Sequence, residues 1–150
     1  MSEEQRQRLS VLLKRQRRRH VLPDIFAWWA KHGISVSPVS DERHNSLTQV
    51  LQGGLSWPLD YSEDYISDVS TFAAQHDIVA ICGWDIAEEP AVLVSAADLL
   101  RHAGNLTSLY LDGFFMADPS FQSGLGVDWD DDDQSAYTAE FKIGPNAPNN

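Results

Sequence analysis

Asp128 and the run Asp130 to Asp133, in the stretch GVDWDDDDQSAY at positions 126–137, come nearest in type and spacing to residues that do chemistry. Asp128, Asp130 and Asp132 match the first three ligand positions of the calcium loop D-x-D-x-D-G, in which alternate carboxylates wrap a hard cation. The sixth position of that loop needs glycine for a sharp turn, and here it is Asp133. The twelfth needs a bidentate glutamate, and here it is Ala139, with Glu140 one place late. The flanks read as strands, not helices. No metal is therefore assigned. Two readings stay open: a hairpin turn of solvated aspartates, which suits Asp and protects a sheet edge, or an acidic surface that docks a basic partner.

Other chemistries find less support. The histidines, His20, His32, His44, His76 and His102, form no H-x-x-x-H pair and adjoin no cysteine, so zinc is not expected. His32 and His102 fall near the ends of expected helices, where a positive imidazole is favoured. Cys82 is the sole cysteine and lies in the apolar run DIVAICGW, so it reads as a small core residue and not a nucleophile. GGLSWP around Ser56 does not match a nucleophile elbow, and it lacks the lysine of a phosphate loop. Glu88 and Glu89 are adjacent and are expected to point apart on a strand, so they offer no glycosidase pair. No enzyme activity and no cofactor are expected.

Elements that would position these residues follow from periodicity and caps. EEQRQRLSVLLKRQRRRH has strong helix formers with acids first and bases last. Its stripe of Leu9, Leu12 and Leu13, continued by Gln16, is narrow. LPDIFAWWAKHG reads as a separate second helix, with Pro23 in its first turn and Gly33 past its end. ISVSPVS is short and extended. A third helix starts at Ser40 or Asp41 and ends at Gly53. A fourth spans DYSEDYISDVSTFAAQHD, with Tyr65, Ile66, Val69 and Phe72 on one side and Glu63, Asp64 and Asp68 on the other.

IVAICGW reads as a central strand. PAVLVSA is a second strand, and SAADLLRHAGN a short helix capped by Ser95. SLYLDGFFMAD, GLGVDWD and SAYTAEFKI form an antiparallel meander, with Val127 and Trp129 on one face and Asp128 and Asp130 on the other. The expected class is α+β: N-terminal helices packed on a mainly antiparallel sheet with a C-terminal meander. A single domain over residues 1–150 is expected, with a basic helix at 1–20 and a loose tail at 144–150.

Charge is distributed unevenly. Residues 1–31 hold eight Lys/Arg against three acids, +5, and the remainder holds three bases against 19 acids, −16, giving the net −11. An acidic body repels nucleic acid and attracts basic surfaces in a salt-dependent way. Arg15, Arg18 and Arg19 of KRQRRRH could contact phosphates, but the expectation is that they fold over the chain's own acids. No segment reads as a signal peptide, and no apolar run nears the ~18 residues of a membrane span. A cytoplasmic protein without a membrane partner is expected, in keeping with a lone cysteine.

In size, acidity and lack of catalytic groups the chain resembles the immunity proteins of bacterial toxin–immunity systems. The local likeness lies in LYLDGFFMADPSFQSGLGVDWDDDDQSAY, where the acidic turn DPSF at 118–121 precedes a strand. Many such proteins carry Trp in an SFxW pattern; here Ser123 holds that place and Trp129 comes later. The resemblance implies a protein that masks the active site or substrate face of a toxin domain, often a basic nuclease. Candidate contacts are Asp128, Trp129 and Asp130, Asp131, Asp132 and Asp133, with Trp57 a further apolar anchor. Second candidates are Glu63, Asp64 and Asp68, and the pair Glu88 and Glu89. The alternative is a nucleic-acid-associated regulator using the basic N-terminal helix.

Overall fold

A computed structural model describes residues 2–53, 59–85 and 88–142. Helix α1 (Glu3–Lys31) opens the chain, followed by β1 (Ser37–Pro38), α2 (Asp41–Gly53), β2 (Asp60–Ser62) and α3 (Tyr65–Ala73). Strands β3 (Ile78–Gly83) and β4 (Val92–Ser95) lead to α4 (Ala96–Arg101), a 3₁₀ turn at Ala103–Asn105 and α5 (Leu106–Leu109). The meander β5 (Gly113–Ala117), β6 (Ser123–Asp130) and β7 (Ser135–Lys142) completes the order. The class is α+β.

Among the described residues the strands form one antiparallel sheet of seven, ordered β1-β4-β3-β5-β6-β7-β2. Side chains alternate across it. Val79, Ile81, Val92, Val94, Phe114, Met116, Leu125 and Val127 share one face with Trp29 and Ile25 of α1, Val69 and Phe72 of α3, and Leu99 of α4. Ala80, Cys82, Phe115, Ala117 and Phe141 share the other with Leu47 and Leu51 of α2. Both faces of the central strands are thus buried, which explains the unbroken apolar run at Ile78–Gly83. Val127 and Trp129 lie on the first face as the alternation predicts.

Two expectations about boundaries are corrected. The segments on either side of Pro23 are one helix of 29 residues, not two. Proline removes one backbone donor, the one that would bond the Arg19 carbonyl. Pro23 is exposed, so that loss falls on a solvent-facing side of the helix. Neither Val21 nor Leu22 offers a side-chain cap that would start a new helix, and both pack on the core beside Ile25. At its start, α1 is held by a reciprocal capping box between Ser2 and Gln5.

The fourth expected helix is also shortened. Asp60–Ser62 is an edge strand on β7, with Tyr61 opposite Tyr137, and the helix starts only at Tyr65. Asp64 caps it by accepting from the Ser67 amide at 3.1 Å. Ser95 stands at the N-cap of α4 as expected, but its side chain makes no capping bond. The tail at 144–150 lies outside the described residues.

Candidate functional site

The register brings four connections to one end of the sheet. Gly83 at the end of β3 pairs with Phe114 at the start of β5. Gly113 pairs with Asp128 near the end of β6, and Asp128 with Tyr137 near the start of β7. Ser62, at the end of β2, pairs with Ala136. The β3–β4 connection, the approach to β5, the β6–β7 turn and the approach to α3 therefore meet there.

The β6–β7 turn is an exposed aspartate hairpin. Asp130 Oδ1 accepts from the amides of Asp132 and Asp133 at 3.0 and 3.3 Å. Gln134 closes the turn at φ 52°, donating its side-chain amide to the Asp131 carbonyl at 2.6 Å. Asp130 thus shapes the turn, while Asp131, Asp132 and Asp133 all face solvent. The Trp129 indole N–H donates to Asp131 at 3.4 Å, and its ring packs 5.2 Å from Tyr65.

Beside this turn lies a groove of about 480 Å³, lined by Leu111, Asp112, Asp128, Trp129, Asp130, Asp131, Asp132 and Tyr137. Leu111 is 66% exposed and Tyr137 41%, so two apolar side chains stand open to a partner in an otherwise largely acidic lining. Gly113 makes this wall possible. Its φ is +112°, and a side chain there would strike the Val127 carbonyl. The close approach lets the Trp129 amide reach the Asp112 carbonyl at 3.2 Å.

Asp112 links this groove to a second acidic group. Burial, and then the charges of Asp130 and Asp112, raise the pKa of Asp128. Burial, and then Asp85, Asp112 and Glu88, push Glu89 up to about 7. The Glu89 carboxylate lies over Gly83, where any larger residue would displace it. Glu88 and Glu89 do not diverge on a strand as expected. β3 ends at Gly83, the Asp85 carbonyl accepts from both their amides, and both line a cavity of about 430 Å³ under α1.

On the far side of the hairpin, Glu63 and Asp64 leave the sheet directly after Ser62 and are exposed. Asp68 accepts the Ser62 hydroxyl at 2.6 Å and serves the local fold. The acidic groups that are scattered in sequence thus form one rim: Glu88, Glu89 and Asp85, then Asp112, then Asp128 and the aspartate turn, then Glu63 and Asp64. Arg17, paired with Glu88, and His20 stand at the Glu88–Glu89 end, while no Lys, Arg or His occurs in the segment 103–141 that carries Asp112, Asp128 and the aspartate turn. Trp57 lies outside the described residues. Asp112, Leu111, Tyr137 and Asp85 are not among the sequence candidates; the LDG turn before β5 is the signal for Leu111 and Asp112, and Tyr137 closes the stretch 126–137 that holds the aspartates.

The arginines of KRQRRRH lie against the chain's own acids. Arg15, Arg18 and Arg19 converge on Asp41 at 3.6, 3.7 and 3.1 Å, and Arg17 pairs with Glu88. The DPSF turn is at the opposite end of β6. There Asp118 accepts from the Ser123 amide at 2.7 Å and the Ser120 amide at 3.1 Å. Phe121 is buried with φ 60°, under the Arg43 guanidinium at 4.9 Å.

Cys82 is buried, which raises its thiol pKa further, and it belongs to the second core cluster. Among the described residues no group of three or more His, Cys, Asp or Glu side chains is placed to hold a metal ion, and no helix is long and apolar enough to cross a membrane. Comparison with protein-family models, curated proteins and solved structures gives no match.

Proposed function

We propose that this chain is a cytoplasmic immunity-type protein that binds and neutralises a basic toxin domain, of which a nuclease is the leading case. The observation that supports it is the run of carboxylates from Asp112 through Asp128 to Asp130, Asp131 and Asp132 around the exposed Leu111 and Tyr137. A nuclease holds phosphate with Lys and Arg, and carboxylates can occupy those groups with charge-assisted hydrogen bonds. Leu111 and Tyr137 supply apolar surface that a partner would desolvate, as tight interfaces need. The long acidic rim would steer encounter, and fast capture suits an antidote. The mode of action is occupancy, not catalysis. The alternative, a nucleic-acid regulator acting through α1, has less support, because the arginines it requires lie against Asp41 and Glu88.

The test is affinity capture from cells of the native source, followed by reconstitution with the purified partner. The expected result is one stoichiometric basic protein whose toxicity is suppressed by this chain. Its affinity should fall at least tenfold between about 50 and about 500 mM salt, and again when Asp128, Asp131 and Asp132 become Asn. A partner indifferent to these substitutions, or capture of nucleic acid alone, would sink the proposal.

A further inference from the structure

The N-terminal half of α1 is an exposed arm that its own fold meets near Glu88, beside Leu9 and Leu13. A helix of 29 residues is about 43 Å long. Its C-terminal half is anchored by Arg18, Ile25 and Trp29, the residues of α1 that are buried. Ahead of Arg15, every described residue is exposed. Leu9, Leu12 and Leu13 are 45%, 56% and 46% exposed. At 100° per residue they share a stripe opposite Arg18. Arg6 and Arg17 flank the stripe on one side, Arg8 and Arg19 on the other.

This arm is also the positive part of the molecule. From Arg6 to Arg19 there are seven bases and no acid. Among the described residues Arg8 pairs with Glu4, Arg17 with Glu88, and Arg15, Arg18 and Arg19 share the one carboxylate of Asp41. An apolar stripe flanked by arginines needs an apolar surface ringed by acids. The same chain carries one: Leu111 and Tyr137 among Asp112, Asp128 and the aspartate turn.

We propose that the α1 arm of one copy docks into the acidic groove of a second copy. Charge selects this occupant over a polyanion, because the rest of the chain carries −16 and would repel nucleic acid or an anionic membrane. One arm in one groove covers less than the ~1,600 Å² of a standard interface. The contact is therefore weak when single, and a pair that exchanges both arms doubles it. Because the arm takes the groove assigned above to a basic partner, self-association and partner binding compete. The inference uses that groove but stands if no outside partner exists.

The experiment is sedimentation velocity on the purified full chain alone, over a concentration series at about 50 and about 500 mM salt. A concentration-dependent dimer is expected at low salt, with a dissociation constant at least tenfold weaker at high salt. Two variants should each be monomeric: Arg6→Glu/Arg8→Glu/Lys14→Glu, which reverses the arm, and Asp128→Asn/Asp131→Asn/Asp132→Asn, which neutralises the groove. Mixing them should restore association, since one supplies a native groove and the other a native arm. Circular dichroism checks that both fold, and the salt response of the native chain remains decisive if a variant does not. A monomer at every concentration in low salt overturns the proposal. So does a dimer that persists in high salt and in both variants, or co-purifying nucleic acid that accounts for the larger species.

Discussion

The two turns that bracket β6 begin from the same residue type and use it in opposite ways. At 118–122 the carboxylate of Asp118 is consumed by the turn. Burial opposes its ionisation, but hydrogen bonds from the Ser120 hydroxyl and from the amides of Ser123, Ser120 and Gln122 outweigh that and lower its pKa. At 131–134 Asp130 does the corresponding work, the exposed Asp131 accepts from the Trp129 indole and the Gln134 side chain, and Asp132 and Asp133 are left facing water. Asp128 beside them is raised by burial and by neighbouring acids. The lowered pKa of Asp118 reflects hydrogen bonds to its ionised form, and the raised pKa of Asp128 reflects burial first and then the neighbouring acids. The difference separates acids that build the fold from acids open to a partner.

The largest test of this contrast is Asp118→Ala. It removes several hydrogen bonds to one ionised group, so denaturant unfolding should show a loss of about 2–3 kcal/mol. Asp130→Ala should cost less, about 1 kcal/mol, because its turn is exposed, and Asp130→Asn should recover most of that by keeping an acceptor. Equal losses at the two turns would break the comparison.

The sign of the pH response sharpens it. Asp118 has a lowered folded pKa, so its stabilisation is present above the unfolded value, ~3.9, and is lost as pH falls through the folded value. Glu89 behaves oppositely. Its folded pKa of about 7 lies above the unfolded 4.5, so the folded state holds a proton that the unfolded state has released. Stability therefore declines as pH rises from about 4.5 to about 7 and levels off beyond. Glu89→Gln should flatten that decline in thermal melts across this range, and Asp128→Asn should do the same at lower pH. The smallest effect on folding is expected at Asp131→Asn and Asp133→Asn, within about 0.5 kcal/mol. Any stronger effect there would show these carboxylates to be structural.

Much of the meander is legible in the sequence because strand alternation is a local property. Val127 and Trp129 turn inward and Asp128 outward as the period of two requires, and the aspartates form the hairpin turn. The turn of the arginines onto the chain's own acids likewise follows from the charge imbalance. Pro23 misleads because proline at a first turn and proline on an exposed face within a helix look alike in sequence. Tyr61 and Ser62 read as helix because the edge that captures them, β7, lies about 75 residues away. Glu88 and Glu89 lie between the two expected strands, and the turn that brings both amides onto the Asp85 carbonyl has no signature that separates it from an extended connection.

By itself the sequence determined the class of fold, the buried run of β3, the solvation of the aspartate turn and the opposition of a basic start to an acidic body. These follow from composition and from periods of 2 and 3.6 residues. The tertiary structure alone decided that Glu88 and Glu89, Asp112, Asp128 to Asp133, and Glu63 and Asp64 gather at one end of the sheet, and that Leu111 and Tyr137 stand exposed among the aspartates. Strand register sets that adjacency, and register depends on pairings between segments far apart in the chain. The length of α1 was hidden for the same reason: packing of Val21, Leu22 and Ile25 on the distant sheet carries the helix through Pro23 and leaves its first half exposed.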